Sequence, residues 1–367
     1  MDDWTYCVKT LPKVSRTFAL NISVLKGDLH RSILVAYLFC RIVDTVEDAA
    51  ELDPKIKIKL LMEFSQLIED RDYRVKNLTT WTHECKQVDG TPNDLELLLQ
   101  VQRVFNVFDS LPDNHQEQIT PSVSKMSQGM AFFQNRFQFG EITPLGNIQD
   151  LEEYCYFVAG VVGEMLCNQF FQELPNLPES ARNTMRQNAV SFGLGLQMTN
   201  ISKDIIADRS RGWSYIPKSI IVENGLTVEE FHSGVSMDKN LHILESLLCK
   251  TNGHLHDALK YTLAIPRTEV SLRLFCIWPL WMAVKTVAAL HNNHELLNSD
   301  APVKISRNTV KGIILGTRCI AWSNSLLKIS FNNILSDKAF QNPPTFDREG
   351  LMARLKKIPL DSINPNV

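Results

Sequence analysis

The sequence predicts an all-α fold, and three observations carry that prediction. Apolar residues recur three and four positions apart through most of the 367 residues, the period of helices that bury one face. No segment alternates apolar and polar residues like a half-buried strand, and nothing repeats at a fixed period. Short clusters of turn-forming residues, LPDNH, LPNLP, NSDAP and NPP, separate the periodic stretches.

The stretches follow in order. RSILVAYLFCRIVDTVEDAA (31–50) is an apolar run that ends in acids. IKIKLLMEFSQLIED (56–70) and DLELLLQVQRVFNVFDSL (94–111) come next, and the polar residues 71–93 are expected as a surface loop. DLEEYCYFVAGVVGEMLCNQFF (150–171), ARNTMRQNAVSFGLGLQMTNISKDIIAD (181–208) and LHILESLLCKTNGHLHDALKYTLAI (241–265) carry the pattern onward. VSLRLFCIWPLWMAVKTVAALH (270–291) holds the longest apolar run, 275–284. That run is shorter than the roughly 18 residues of a membrane span and holds a proline, so it is expected as buried core. TVKGIILGTRCIAWSNSLLKISFNNIL (309–335) completes the set. Residues 1–335 are thus expected as a single all-helical domain. Residues 336–367, with four prolines, are expected as a poorly packed tail without a membrane anchor.

Composition narrows the function. A net charge of −3 gives no overall basic signal for nucleic acid or anionic lipid. The eight cysteines are scattered, with no C-x-x-C pair and no zinc-like spacing. Such usage suits a reducing cytosol, and the acidic start MDDWTYCVKTLPK lacks the apolar core of a signal peptide. A cytoplasmic protein is expected. No G-x-x-x-x-G-K-[ST] loop is present, which argues against a P-loop nucleotide enzyme.

Two acidic pairs suggest chemistry. Asp44 and Asp48 stand four residues apart, on one helix face with Cβ atoms roughly 5–6 Å apart, and Glu47 flanks them. Alone, such a triplet also suits a solvated helix end. Asp204 and Asp208 repeat the spacing after another apolar helical stretch, with Asn200 one turn earlier. Two such pairs facing each other across a cavity make an oxygen-rich site for Mg²⁺, which keeps waters and bridges to substrate phosphates. Neither pair has a His or Cys beside it, which disfavours zinc. Arg16, Arg41, Arg209 and Arg211 stand close in sequence, and such cations suit a leaving diphosphate. His291 and His294 lack a nearby third ligand and are not read as a metal site.

SRTFAL, AYLFCRIVDTVED, YCYFVAGVVGEML and LQMTNISKDIIADRSRGWSYIP, in that order, resemble the squalene and phytoene synthase family over about residues 6–330. The resemblance implies an all-α isoprenoid-synthase fold with a central cavity. It implies head-to-head coupling of two prenyl diphosphates through a cyclopropyl diphosphate. RLFCIWPLWMAVKTVAALHNN and APVKISRNTVKG are most similar to squalene synthases, which implies two molecules of farnesyl diphosphate as substrate and NADPH as reductant.

The same resemblance assigns residues. Asp44, Glu47, Asp48, Asp204 and Asp208 match the magnesium-binding acids. Ser15, Arg16 and Thr17 match a flap that closes over diphosphate. Tyr37 and Arg41 match substrate- and phosphate-facing positions. Tyr154 matches the tyrosine of the first half-reaction, and Phe275 an aromatic that shields a carbocation. Gln197 and Asn200 match polar residues before the second motif, and Lys203 and Lys304 match positions linked to NADPH. Gly160 and Gly163 are expected to allow close helix packing and to leave room for an isoprenoid chain.

The chain also departs from the family pattern. Ala207 replaces a frequent glutamate, Trp213 an arginine usual in animal squalene synthases, Lys203 a common arginine, and Ser306 an arginine of the Val-Lys-Ile segment. Lys203 and Ser306 keep open an NADPH-independent synthase of dehydrosqualene, phytoene or presqualene diphosphate. A non-catalytic binding relative would be expected to lose acids that this chain keeps. The apolar product suggests peripheral membrane contact, although no amphipathic anchor stands out.

Overall fold

Helices account for most of the chain, as the apolar periodicity predicts. The computed structural model describes residues 1–136, 142–294, 303–360 and 363. The expected turn at 298–302 lies outside the described residues. Internal contacts divide the chain into two compact units. The first comprises Met1–Phe139, Glu164–Pro175 and Ile358–Val367; the second comprises Gly140–Gly163 and Asn176–Lys357.

The first unit is organised around the helix Gly27–Asp48, which carries the first acidic motif. Phe39 on that helix meets Phe105 at 4.8 Å and Phe108 at 5.5 Å between ring centroids. Phe64 packs on Phe39, Phe105 and Trp81 at 5.2–6.0 Å. Offset and edge-on rings of this kind fix rotation as well as burying area. The helix therefore has one apolar face locked to its neighbours.

Residues 71–93, expected as a loop, begin with a helix, Arg71–Glu84. The Asp70 carboxylate caps it by accepting from Asp72 and Tyr73 N–H. Only Arg74, Leu78 and Trp81 are buried, at spacings of four and three. That stripe is too narrow to show in composition. Trp81 donates to the Leu60 carbonyl at 2.9 Å. Arg74 bonds Asp109 at 2.6 Å and lies over the Phe105 ring.

The second unit is built on the helices Glu179–Lys203 and Met237–Ala264, which pack together along their lengths. A π-helical turn, Tyr156–Gly160, follows the helix Ile148–Cys155. Single π turns of this kind often sit beside functional residues, and here the neighbour is Tyr154. Glycines bring this segment close to Glu179–Lys203. A Cβ on Gly163 would stand 2.2 Å from the Ala189 carbonyl oxygen, and one on Gly193 would stand 2.3 Å from that of Ala159. The packing expected of Gly163 is thus present.

The helix Val270–Leu290 contains the run 275–284 and Pro279. It has the length and apolar composition to cross a bilayer, and 78% of its apolar window is buried. The burial expected of the run 275–284 is thus present. A two-residue parallel pairing, Thr143–Pro144 with Trp213–Ser214, is the sheet among the described residues.

The expected loose tail is packed instead. Phe340 and Leu351 are buried, and Phe340 accepts a hydrogen bond from Asn252 at 2.9 Å. A Cβ on Gly253 would stand 2.5 Å from the Pro344 carbonyl oxygen. The helix Arg348–Leu355 delivers Arg354, which donates to Glu152 at 2.6 Å and Glu153 at 3.0 Å. Lys250 also reaches Glu152 at 2.6 Å. Arg354→Ala would leave a buried carboxylate pair short of charge and destabilise the protein by about 2–3 kcal/mol, measured as a lower urea midpoint.

Ser, His and Asp meet in this unit without forming a catalytic relay. Ser191 donates to Asp257 at 2.9 Å and lies 2.8 Å from His254 Nδ1. Ser191 and His254 are buried, and no Asp orients the ring. Burial pushes His254 down to about 3 and His232 down to about 4, with Lys250 and Arg209 respectively adding to the effect. Below about pH 6.5 the unfolded chain takes up protons that these folded rings refuse. Stability should therefore fall as pH drops from 6.5 toward 4, by about 2 kcal/mol per histidine at pH 5. Urea unfolding of wild type and His254→Gln across that range measures this; the variant should lose its share of the slope.

Candidate active site

The first acidic helix presents a polar stripe on an otherwise buried surface. Tyr37, Arg41, Asp44 and Asp48 recur at spacings of four, three and four, which is one helix face. Between Ala36 and Asp48 they are the only residues not fully buried. Glu47 lies toward the core, 4% exposed, and its carbonyl accepts from Lys57 at 3.0 Å. Asp44 and Asp48 thus share the open face, while Glu47 stands behind them.

The SRT segment joins this stripe. Ser15 caps the helix Arg16–Ile22 by accepting from Phe18 N–H. The Ser15 side chain also acts on the Tyr37 hydroxyl, pulling its pKa down, and the Phe18 ring lies 5.0 Å from the Tyr37 ring. Burial pushes the Tyr37 hydroxyl up to about 12, against the pull of Ser15 and Arg41, so it remains a neutral donor. Arg16 and Thr17 are exposed on the first turn of the short helix.

Sequence reasoning missed Asp94. It binds Arg41 with two oxygens, at 2.8 and 2.9 Å, and takes a third hydrogen bond from Thr91 at 2.5 Å. Burial acts to raise the Asp94 carboxyl, but the Arg41 and Thr91 bonds outweigh it and hold it low. A paired guanidinium of this kind has a fixed plane. Nothing in spacing marks Asp94, since its partner is 53 residues away.

Asp44 sits in the opposite situation. Burial pushes its carboxyl up to about 7; Arg41 pulls it down, while Asp48 and Asp94 push it up. Arg41 is already shared with Asp94, so Asp44 holds more negative charge than its surroundings balance. Oxygen donors short of positive charge fit a hard divalent cation such as Mg²⁺. Among the described residues no group of three or more His, Cys, Asp or Glu converges as a complete metal cage.

The second motif is built differently. The sequence suggested one helix through 181–208, but the helix Glu179–Lys203 ends at Asp204. The short helix Ile205–Ser210 carries Asp208. Asp204 leaves helical geometry with φ −103° and ψ 16°, while Asp208 N–H still bonds the Asp204 carbonyl at 2.8 Å. Lys203 bridges Asn200 at 3.0 Å and Asp204 at 3.0 Å. Arg211 reaches Asp208 at 2.6 Å, and Asp208 is buried. Gln197 is half-buried one turn before Asn200. The structure therefore groups Gln197, Asn200, Lys203, Asp204 and Asp208, with their charge partly matched by Lys203 and Arg211.

Tyr154 is buried and stacks on Tyr215 at 4.6 Å, which in turn stacks on Trp213 at 6.0 Å. The two-strand pairing through Thr143–Pro144 sets the backbone of Trp213 and Ser214. His232 lies 2.9 Å from Ser214 Oγ, and Arg209 donates to the His232 carbonyl. Trp213 and Tyr215 are aromatics whose partnership with Tyr154 the sequence hid. Phe275 is buried on Val270–Leu290, and Lys304 is exposed just before the helix Arg307–Ile320, which Ser306 caps.

Comparison with known proteins agrees with these motifs. Residues 11–309 match the squalene/phytoene synthase family. The chain belongs to that family. Squalene synthase ERG9 of Candida albicans is 30% identical over 355 residues, 94% of this chain and 74% of its own. Squalene synthase 1 of Arabidopsis thaliana is 29% identical, over 93% of this chain and 77% of its own. The solved complex of TcSQS with the ligand BPH1237 has the same fold, with TM-score 0.77, 22% identity and 99% of each chain covered. Membership makes this an isoprenoid-synthase fold and a head-to-head prenyltransferase family that uses prenyl diphosphates.

Asp94 is expected to act through Arg41. Asp94→Asn should weaken Mg²⁺-dependent binding of an unreactive prenyl diphosphate analogue about tenfold, measured by titration calorimetry, as one charge-assisted pairing is lost. Thr91→Ala, which leaves the Arg41 bonds in place, should change it far less.

Proposed function

We propose that this protein couples two molecules of farnesyl diphosphate head to head, through presqualene diphosphate, and reduces the product to squalene with NADPH. The observations that carry this reading are the polar stripe Tyr37–Arg41–Asp44–Asp48 on a helix segment otherwise buried, and the second acidic pair Asp204 and Asp208, at the same spacing and preceded by Gln197 and Asn200. The similarity to squalene synthases across most of the chain supports it.

Mg²⁺ held by Asp44, Asp48, Asp204 and Asp208, with Glu47 behind the first pair, would supply Lewis-acid charge for departure of diphosphate. Arg41, oriented by Asp94, binds phosphate oxygens. Arg16, with Ser15 and Thr17, binds the same group at the start of its helix. Tyr37 donates a hydrogen bond from a hydroxyl that stays protonated. Lys203 keeps Asn200 and Asp204 in register, and Gln197 adds a polar contact to the substrate.

The allylic cation needs a dry, electron-rich setting. Tyr154, backed by Tyr215, and Phe275 offer ring faces to positive charge and exclude water. The proton lost on cyclopropane formation passes to the released diphosphate, directly or through the Tyr154 hydroxyl, which gives up its own proton as it receives one. NADPH would supply the hydride that ends the second half-reaction, with exposed Lys304 and Lys203 as its phosphate contacts.

One feature favours the NADPH-independent alternative. Lys203 is engaged by the second acidic motif, and Ser306 caps a helix where an arginine would offer charge. Incubation with farnesyl diphosphate and Mg²⁺, with and without NADPH, separates the readings. Squalene formed only with NADPH is expected. Dehydrosqualene or presqualene diphosphate irrespective of NADPH would overturn the reductive half and leave the coupling half standing. No consumption of farnesyl diphosphate would overturn both.

A further inference from the structure

The helices Arg307–Ile320 and Asn324–Ile334 turn large apolar side chains to solvent. Leu315 is 65% exposed, Trp322 58%, Ile329 56% and Leu326 39%. On the first helix Lys311, Leu315 and Arg318 follow at spacings of four and three, so they form one outward stripe, and exposed Trp322 stands in the turn just beyond the helix's end. Ile313 and Thr317 occupy the opposite face and are buried; Thr317 accepts from Trp278 at 3.1 Å. On the second helix Leu327 and Phe331 are buried while Leu326 and Ile329 are not. Among the described residues, both helices have a satisfied inner face and a second apolar face without protein against it.

A groove of about 520 Å³ runs between them. Its floor includes Trp281, Ile313 and Thr317, and among the described residues Lys285 is the only ionisable one lining it. Gly312 and Gly316 leave its lip open, with nothing within 4 Å of where a Cβ would stand.

Charge identifies the occupant. Residues 305–335 contain Arg307, Lys311, Arg318 and Lys328 and no Asp or Glu, in a chain whose net charge is −3. A second copy of this face would bring the same positive charge against itself. An anionic bilayer would supply the missing sign and accept the apolar side chains. Exposed tryptophan beside basic residues is the usual composition of a surface that rests at the headgroup boundary.

We propose that this face docks on an anionic lipid bilayer. Leu315, Trp322, Leu326 and Ile329 enter the headgroup boundary, and Arg307, Lys311 and Lys328 meet lipid phosphates. Each basic residue near such a surface adds modestly and is weakened by salt, so binding is reversible. The proposal does not depend on which isoprenoid product is made. It gives a location to the membrane contact that the sequence suggested only from the product's character.

The full-length protein should co-sediment with vesicles containing one-third phosphatidylglycerol at physiological ionic strength, and about tenfold less with pure phosphatidylcholine. Lipids brominated near the headgroup should quench its tryptophan fluorescence, and Trp322→Phe should remove most of that quenching. Leu315→Glu/Trp322→Glu and, separately, Lys311→Glu/Lys328→Glu should each lower binding about tenfold or more. Their unfolding midpoints should match wild type, since all four side chains are exposed. Three results would overturn the proposal. They are failure of the wild type to bind anionic vesicles, undiminished binding by both variants, or a wild-type dimer that Leu315→Glu/Trp322→Glu turns into monomer.

Discussion

A carboxylate set into a buried helix must find positive charge, and the first acidic helix does not provide enough of it. Its apolar face is fixed by Phe39 against Phe64, Phe105 and Phe108, so the polar face cannot rotate to relieve the strain of charge. Arg41 is committed to Asp94 by two hydrogen bonds. Asp44 is left with its carboxyl pushed up to about 7, by burial first and by neighbouring aspartates after it. The arrangement is electrostatically incomplete by construction, and in the proposed reading a divalent cation with a phosphate would complete it.

The second motif meets the same constraint with protein cations. Lys203 and Arg211 neutralise Asp204 and Asp208, and the helix breaks at Asp204. The loop that follows is secured by the pairing with Thr143–Pro144 and by the contacts of His232 with Ser214 and Arg209. Tyr154 inherits its position from both ends of its helix. The π turn follows it, and Arg354 grips Glu152 and Glu153 just before it. A segment far along the chain thus helps to place a residue of the proposed chemistry.

What sequence could and could not show follows from the range of the interactions. The helices, the four-residue spacing of the acids and the buried apolar run at 275–284 are local patterns, and they were legible. Asp94 was not, because its importance lies in a pairing across 53 residues. Tyr215 and Trp213 became partners of Tyr154 only through a two-residue strand pairing that no periodicity announces. Residues 71–84 and 348–355 read as loop and tail because the first buries only Arg74, Leu78 and Trp81 and the second only Leu351, beneath polar surfaces. The break at Asp204 leaves the four-residue hydrogen bond intact, so the spacing alone suggested an unbroken helix. Glu47 looked equivalent to its neighbours until burial separated it from the open stripe.

The central claim is that both acidic motifs serve a single Mg²⁺-dependent ionisation of a prenyl diphosphate. Steady-state turnover of farnesyl diphosphate by Asp44→Asn and by Asp204→Asn, each with unfolding midpoints to establish a native fold, tests it most directly. Removing a carboxylate that holds the metal should lower turnover by a factor on the order of a thousand or more in both variants, with excess Mg²⁺ restoring little. A folded variant of either residue that kept wild-type turnover would contradict the account.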